Sequence, residues 1–596
     1  MTDENSASDR GTGRPRIDRR TVLKTGAALG AAAMLPLAAR PTAAVDLESD
    51  GFKLNDLGWQ DIDIEDAIPG VMESSGRRQG GPYYRIEMRR GTHRHHPAMD
   101  PTPVWGYKGP SDSEGQFPGK TIEGRVNQPM KVEFVNELPE SHLFDVDTGV
   151  HGTKLSDYSD RYPEWADQFA GPDEFPEVRA VTHAHGLHVE SASDGLPEQW
   201  TSPDGIEGPQ FVKDVYDYTS RQDPATLWYH DHALGLTRLN VYAGLAGFFL
   251  LRGPQEERLG LPSGDKEVPI LFQDRAFEGE PGDGTPDRYQ YPSNFQAEVS
   301  GDVSVVNGQA WPRFDVDPGQ YRFRFLNGSN GRFFNIRLEA EDGGDPPTMY
   351  QIGTDLGFLR DVVPIGPAET TKSLLLGPAE RADVIVDFSD FAGETLTVTN
   401  DADFPFRSPG ASTGTGGAGL PELAQFHVRT GDPQDPAVDP TSLRLPGPER
   451  FEENATVQTR QMGLDTGSLN GLDTHFLDEE GGRPAPGEHW GDPILTRPQL
   501  GTTEIWELEN RTGDAHPIHL HLVDFQVVGR GQDGTDAPDP TEQGNKDTVK
   551  VYAGETVRII TRFGNFTGRY VWHCHLLEHE DQEMMRPYEV VTGERE

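Results

Sequence analysis

Apolar and polar residues alternate along much of this chain in short runs bounded by glycine and proline. FDVDPGQYRFRFLNGS (Phe314–Ser329) and RADVIVDFSDF (Arg381–Phe391) put apolar side chains at every second position, the period of a half-buried strand. EVPILFQDRAF (Glu267–Phe277), TTEIWELEN (Thr502–Asn510) and TVKVYAGETVRIITRF (Thr548–Phe563) read as further strands. Long helical periodicity is scarce, while 68 glycines and 48 prolines supply turns. The pattern predicts an all-β chain, and 596 residues are too many for one core. Three β-sandwich units in series are expected, over 46–255 with an N-terminal arm, 256–435 and 436–596.

Composition narrows the partners. With 53 basic and 98 acidic residues the formal net charge is −45, a surface that repels nucleic acid and anionic lipid. So large an acidic excess, with arginine well ahead of lysine, resembles the surfaces of salt-adapted proteins. One cysteine rules out an intrachain disulfide framework. Residues 1–45 carry a signal: DRRTVLK (Asp18–Lys24) precedes the small apolar run TGAALGAAAMLPLAA (Thr25–Ala39), too short to span a bilayer. It resembles a twin-arginine export signal with Arg19 and Arg20 as the pair, and implies that export machinery as a partner. No later segment is apolar enough to span a membrane, so an exported protein is expected, extracellular or at the cell surface.

The histidines are not spread evenly. Of nineteen, ten lie in THAHG (His183, His185), WYHDHALG (His230, His232), HPIHLHL (His516, His519, His521) and WHCHLLEH (His573, His575, His579). A strand sends alternate side chains to one face, so each H-x-H sets two imidazoles side by side, where they can chelate metal. Two pairs fall in the first unit and two in the last, which places the metal site where those units meet. Neutral imidazoles suit copper, zinc, iron or nickel. In HCH the same alternation turns Cys574 away from His573 and His575, toward a different ion. Two histidines, a thiolate and a weak axial methionine make the blue-copper electron-transfer arrangement. Cys574, His579 and Met584 follow one another at intervals of five, enough for a loop around one ion, and His516 fits as the fourth ligand.

With these motifs in place, the chain resembles the multicopper oxidases, most closely the spore-coat-laccase and bilirubin-oxidase group. The likeness lies in LWYHDHALGLTRLNVYAGLAGFFL, HPIHLHLVDFQVV and GRYVWHCHLLEHEDQEMMRP, with NGQAWPRFDVDPGQYRFRFLN and LGPAERADVIVDF, and runs from about Pro101 to the C-terminus. It implies three cupredoxin-like Greek-key domains and four copper ions per chain. By motif position, type 1 copper falls to His516, Cys574, His579 and Met584, and type 2 copper to His183 and His519. The type 3 pair falls to His185, His230, His232, His521, His573 and His575. The resemblance implies a laccase-like oxidase taking electrons from phenols or aromatic amines and passing them through Cys574 to dioxygen, which becomes water. Glu580 and Asp194 match acidic residues assigned to proton delivery. Bilirubin oxidation, or oxidation of Cu(I) or Mn(II), is the alternative. Only 10 methionines and no methionine-rich insert weaken the cuprous version, and complete ligand motifs argue against a mere electron carrier.

Other features take plainer readings. THRHH (His93, His95, His96) is expected as an exposed polar turn. QDIDIED (Gln60–Asp66) lacks the glycine and terminal glutamate of a calcium loop and reads as a solvated strand or arm. Gly414, Gly416 and Gly419 match G-x-G-x-x-G without a preceding strand or following helix, so a surface loop is expected rather than a phosphate site. NAT at Asn454, NRT at Asn510 and NFT at Asn565 fit the glycosylation acceptor pattern.

Overall fold

The computed structural model describes residues 44–410, 419–434, 436–479 and 488–593. The Arg19–Arg20 pair, with Gly414 and Gly416 of the glycine-rich run, lies outside the described residues. The protein is mostly β, and the longest described helix, Thr237–Ala243, has 7 residues. No helix among the described residues is long and apolar enough to cross a membrane.

Three stretches of chain each build two sheets around an apolar core. In the first, Gly119–Arg125, Ala246–Arg252, Ala225–Asp231 and Thr182–His185 form one sheet. Its Leu227, Phe249 and Leu251 meet Ile86, Met88 and Val132 of the second. The middle stretch pairs a seven-stranded with a six-stranded sheet, and Phe323, Phe325 and Val384 close on Phe314 and Phe426. In the last, Thr548–Val551, His516–Leu520, Gly568–Cys574 and Met585–Val590 form a four-stranded sheet. Trp572, Ile518 and Val549 of that sheet pack on Trp506, Leu508 and Ile559 of its five-stranded partner. Aromatic and β-branched residues at alternate positions fill such sandwiches because each strand offers one face to the core.

The N-terminal arm pairs with the middle stretch. Ala44–Asp46 runs parallel to Glu298–Ser300, and Gln60–Asp63, from QDIDIED, runs parallel to Pro312–Val316. THRHH departs from the expected exposed turn, since His95 and His96 are buried. His93 Nε2 and His95 Nδ1 both bond the Gly308 carbonyl at 2.8 Å, and His95 Nε2 meets Tyr289 Oη at 2.9 Å. These bonds to the middle stretch satisfy the rings inside the protein. Asn510 is a second correction: it is buried, and its Nδ2 donates to the Asp514 and Val551 carbonyls, so the acceptor atom is occupied by the fold. Asn454 and Asn565 are exposed.

A buried ionic cluster ties the middle and last stretches together. Arg381, the first residue of Arg381–Asp387, donates to Asp547 Oδ1 at 2.7 Å and through its backbone N–H to Asp355 at 2.9 Å. Lys546 pairs with Asp355 at 2.9 Å, and Lys550 with Glu380 at 2.6 Å. Gly186, at φ +86°, is required beside this cluster, because a Cβ there would lie 2.5 Å from Asp547 Oδ2. Arg381→Leu leaves the buried Asp547 carboxylate without its cation, so we expect a loss of about 3–5 kcal/mol, read as a lower denaturant midpoint at constant salt.

Candidate metal centre

Antiparallel pairing brings the histidine motifs into register. His183 lies opposite His230, and His519 opposite His573. Because the paired strands are sequence-distant, register, not chain spacing, sets these neighbours. His183 and His185 from the first stretch then face His519 and His521 from the last, with ring centroids 3.9 Å apart for His183–His521 and 3.6 Å for His185–His519.

Three sets of ring nitrogens converge at this junction. The Nε2 atoms of His232, His521 and His573 form a triangle with sides of 3.2, 3.3 and 3.3 Å. His185, His230 and His575 form a second set, and His183, His185 and His519 a third, each with donor atoms within 4.8 Å of one another. Every one of these histidines is buried. The opposite nitrogen is commonly tied down: His183 Nδ1 donates to the Asp194 carbonyl at 2.6 Å, His519 Nδ1 to the Asp547 carbonyl at 2.8 Å, and His230 Nδ1 to the Asp231 carbonyl at 2.8 Å. That fixes the tautomer and aims a lone pair inward. His185 is turned the other way, with Nε2 on Asp547 and Thr548 and Nδ1 inward.

The residues fit metal. His183 Nε2, His185 Nδ1, His230 Nε2, His519 Nε2 and both nitrogens of His575 are buried without a hydrogen-bond partner. Orphaned buried donors and acceptors are costly, and a cation that takes their lone pairs removes the cost.

A second, mononuclear arrangement lies on the other face of the same strand. Cys574 Sγ is 3.5 Å from His516 Nδ1 and 3.9 Å from His579 Nδ1, and the two nitrogens are 3.3 Å apart. His516 Nε2 is held by Thr512 Oγ1 at 2.7 Å. The loop is closed by backbone bonds, with Cys574 N–H donating to Met584 O and Met584 N–H to His579 O, both at 2.9 Å. Met584 is fully buried. Without metal, burial pushes the Cys574 thiol well above its ordinary range, while the Leu576 N–H, 3.4 Å from Sγ, favours the thiolate.

The two acids named from the sequence reach the junction. Glu580 lies 3.0 Å from His573 Nδ1 and 3.3 Å from His232 Nδ1, with its side chain fully buried. Asp194 Oδ2 accepts from His521 Nδ1 at 2.7 Å, and burial raises its carboxyl well above the usual range. Sequence reasoning missed Asp547, which contacts both His185 and His519, since nothing in KDTVKV marks that carboxylate among so many. It also passed over His475, which lies against His516 and His579; a lone histidine in THF has no partner at strand spacing.

Comparisons with known proteins point to one family. Family models described as multicopper oxidase match residues 177–256 and 471–594, and a model of the twin-arginine translocation signal matches 16–36. A laccase of Haloferax volcanii is 45% identical over 96% of this chain and 90% of its own length. A laccase of Bacillus subtilis is 37% identical over 88% of this chain and 97% of its own. The crystal structure of a multi-copper oxidase from Pediococcus acidilactici superposes with a TM-score of 0.66 at 25% identity, covering 93% of this chain and 98% of that one.

Burial also sets a pH dependence. It lowers the imidazole pKa of His183 to about 3 and of His142 to about 4, and lowers those of His185, His230, His232, His516, His519, His521, His575 and His579 as well. The unfolded chain takes up protons below about pH 6.5 that the folded chain refuses. The contribution of these neutral imidazoles is therefore complete above that pH and lost as pH falls toward the folded values. For metal-free protein at fixed salt, we expect a lower urea midpoint at pH 5 than at pH 7; equal midpoints would contradict the neutral buried state.

Proposed function

This chain belongs to the multicopper oxidase family, and from that premise we propose that it is an exported laccase-like oxidase coupling one-electron oxidation of phenols or aromatic amines to reduction of dioxygen to water. One observation carries the reading. Cys574 joins a cysteine–histidine triangle while its neighbours His573 and His575 join the histidine junction, so three consecutive residues link two donor sets.

We assign type 1 copper to His516, Cys574, His579 and Met584, and type 2 copper to His183 and His519. The type 3 pair takes His185, His230 and His575 on one side and His232, His521 and His573 on the other. That makes four coppers per chain, and thiolate with imidazole is a donor set suited to them. Copper bound there supplies one-electron chemistry at the donor end and multi-electron reduction of dioxygen at the other.

The rest is work for the chain. The Cys574 main chain gives a covalent path of one residue in each direction to the histidine junction, and the Leu576 N–H steadies negative charge on Sγ. Glu580, against His232 and His573, is placed to hold a proton at the edge of the junction and release it there. Asp194 orients His521 through its carboxylate and His183 through its carbonyl. The apolar cores on both sides keep bulk water from these groups. Twin-arginine export carries folded proteins, so metal insertion before translocation is compatible with the signal, and delivery to the cell surface or medium completes the proposal.

The test uses full-length protein loaded with copper. Four coppers per chain, an intense thiolate-to-copper band, and oxygen uptake with a phenol are expected, with bilirubin assayed alongside as a competing donor. Loss of the band from wild type overturns the type 1 assignment, and fewer than four coppers overturns the junction assignment. Glu580→Gln keeps the carboxylate's size without its proton; oxygen turnover should fall roughly 10²-fold while the visible band stays. Unchanged turnover removes the proton role.

A further inference from the structure

Glu583, the residue before Met584, has φ +73°, a left-handed backbone that glycine takes freely and a longer side chain resists. Its contacts must therefore hold a glutamate there. The side chain is 2% exposed. Oε1 pairs with His151 Nδ1 at 3.0 Å, Oε2 accepts from the Trp490 N–H at 2.7 Å, and His489 Nδ1 stands 3.6 Å from Oε2. Both oxygens of a buried carboxylate are thus partnered.

His151 belongs to the first stretch of the chain and Glu583 to the last. The His151 backbone N–H also donates to Gln582 Oε1 at 3.3 Å, so one residue grips two consecutive positions of the loop between His579 and Met584. The grip is itself anchored. The neighbouring Gly152 carbonyl accepts from Arg179 Nη1 at 2.6 Å and from Tyr158 Oη at 3.0 Å, both side chains being buried. Around this contact Tyr158 and Leu234 of the first stretch close on Trp490 and Met585 of the last. The Met584 N–H is bonded to the His579 carbonyl, and the Met584 carbonyl to the Cys574 N–H. A displacement of Glu583 therefore reaches Met584, and the backbone of two of its fellow ligands, through a single peptide unit.

We propose that Glu583 is a positioning residue of the mononuclear centre and His151 its latch, the pair holding Met584 in its axial place from the neighbouring unit. The inference rests on the reading that His516, Cys574, His579 and Met584 hold copper. The axial ligand tunes the potential of such a site: a thioether held close favours the oxidised ion, and one that is released lets the potential rise. A residue of the first stretch thereby adjusts a copper whose four ligands all come from the last.

The experiment compares copper-loaded wild type with Glu583→Gln, His151→Leu and His151→Asn by redox titration and electron paramagnetic resonance of the mononuclear copper. Glutamine keeps the size of Glu583, but its single acceptor oxygen cannot serve both His151 and Trp490. Leucine removes the ring donor, whereas the asparagine amide puts an N–H near the place of Nδ1. The proposal expects the potential to rise and the copper hyperfine splitting to change in Glu583→Gln and His151→Leu, with the thiolate band lost to a chelator roughly tenfold faster. His151→Asn should stay close to wild type in all three. A lower denaturant midpoint with unchanged potential and resonance leaves the contact as packing between units and overturns the proposal. Equal shifts in His151→Leu and His151→Asn overturn it too, since the hydrogen bond would not be their cause. Should Glu583→Gln not fold, the potential of His151→Leu decides alone. A wild type with no thiolate band instead overturns the copper assignment on which the proposal rests.

Discussion

An imidazole can be kept neutral in a dry interior only if one nitrogen is satisfied and the other is given to something that needs a lone pair. This constraint governs the junction between the first and last stretches of the chain. Carbonyls of Asp194, Asp231 and Asp547 take the outward nitrogens of His183, His230 and His519, so those rings present Nε2 to the interior. The strands that carry them must therefore hold both a side chain and the carbonyl of a neighbouring segment in place. Rigid sheets do this better than loops, because ladder bonds fix the backbone on both sides of each ring. The result is a preformed set of donors with little left to reorganise when metal enters.

The middle stretch contributes no histidine to the junction and yet supports it. Arg381 holds Asp547 by a buried ion pair, and Asp547 in turn contacts His185 and His519. Asp355 and Glu380 bring Lys546 and Lys550 of the last stretch into the same cluster. Buried charges of this kind add little net stability over apolar packing, but they accept only one arrangement of partners. Here that arrangement sets the position of Asp547, whose carboxylate bonds His185 and whose backbone carbonyl bonds His519.

The donor pairs were legible because alternation along a strand is a local property: H-x-H and H-C-H carry their geometry in their spacing. The all-β fold was legible for the same reason. What spacing cannot convey is which distant strand lies opposite. His475 owes its place to the pairing of Leu472–Asp478 with Thr456–Leu469, and Asp547 to the docking of the middle stretch, so neither stands out in a chain rich in carboxylates. THRHH reads as solvated from its composition, yet Gly308 and Tyr289, more than 190 residues away, bond the rings of His93 and His95 inside the protein. Asn510 fits an acceptor motif, but its amide is used by the fold. In each case the missing information is a long-range partner.

The arm ties the start of the described chain to the mononuclear site. Ala44 pairs with Glu298, whose carboxylate lies 3.7 Å from His579 Nε2, so the strand that follows the export signal is hydrogen-bonded directly behind the mononuclear site. Its partner Glu298–Ser300 pairs with no other described strand, so the two form a two-stranded ribbon of their own. A cut upstream of Ala44 would leave this pairing intact, whereas one beyond Asp46 would remove it. The three residues that tie the arm to Glu298–Ser300 thus bound where the chain could be shortened without loosening the wall behind His579.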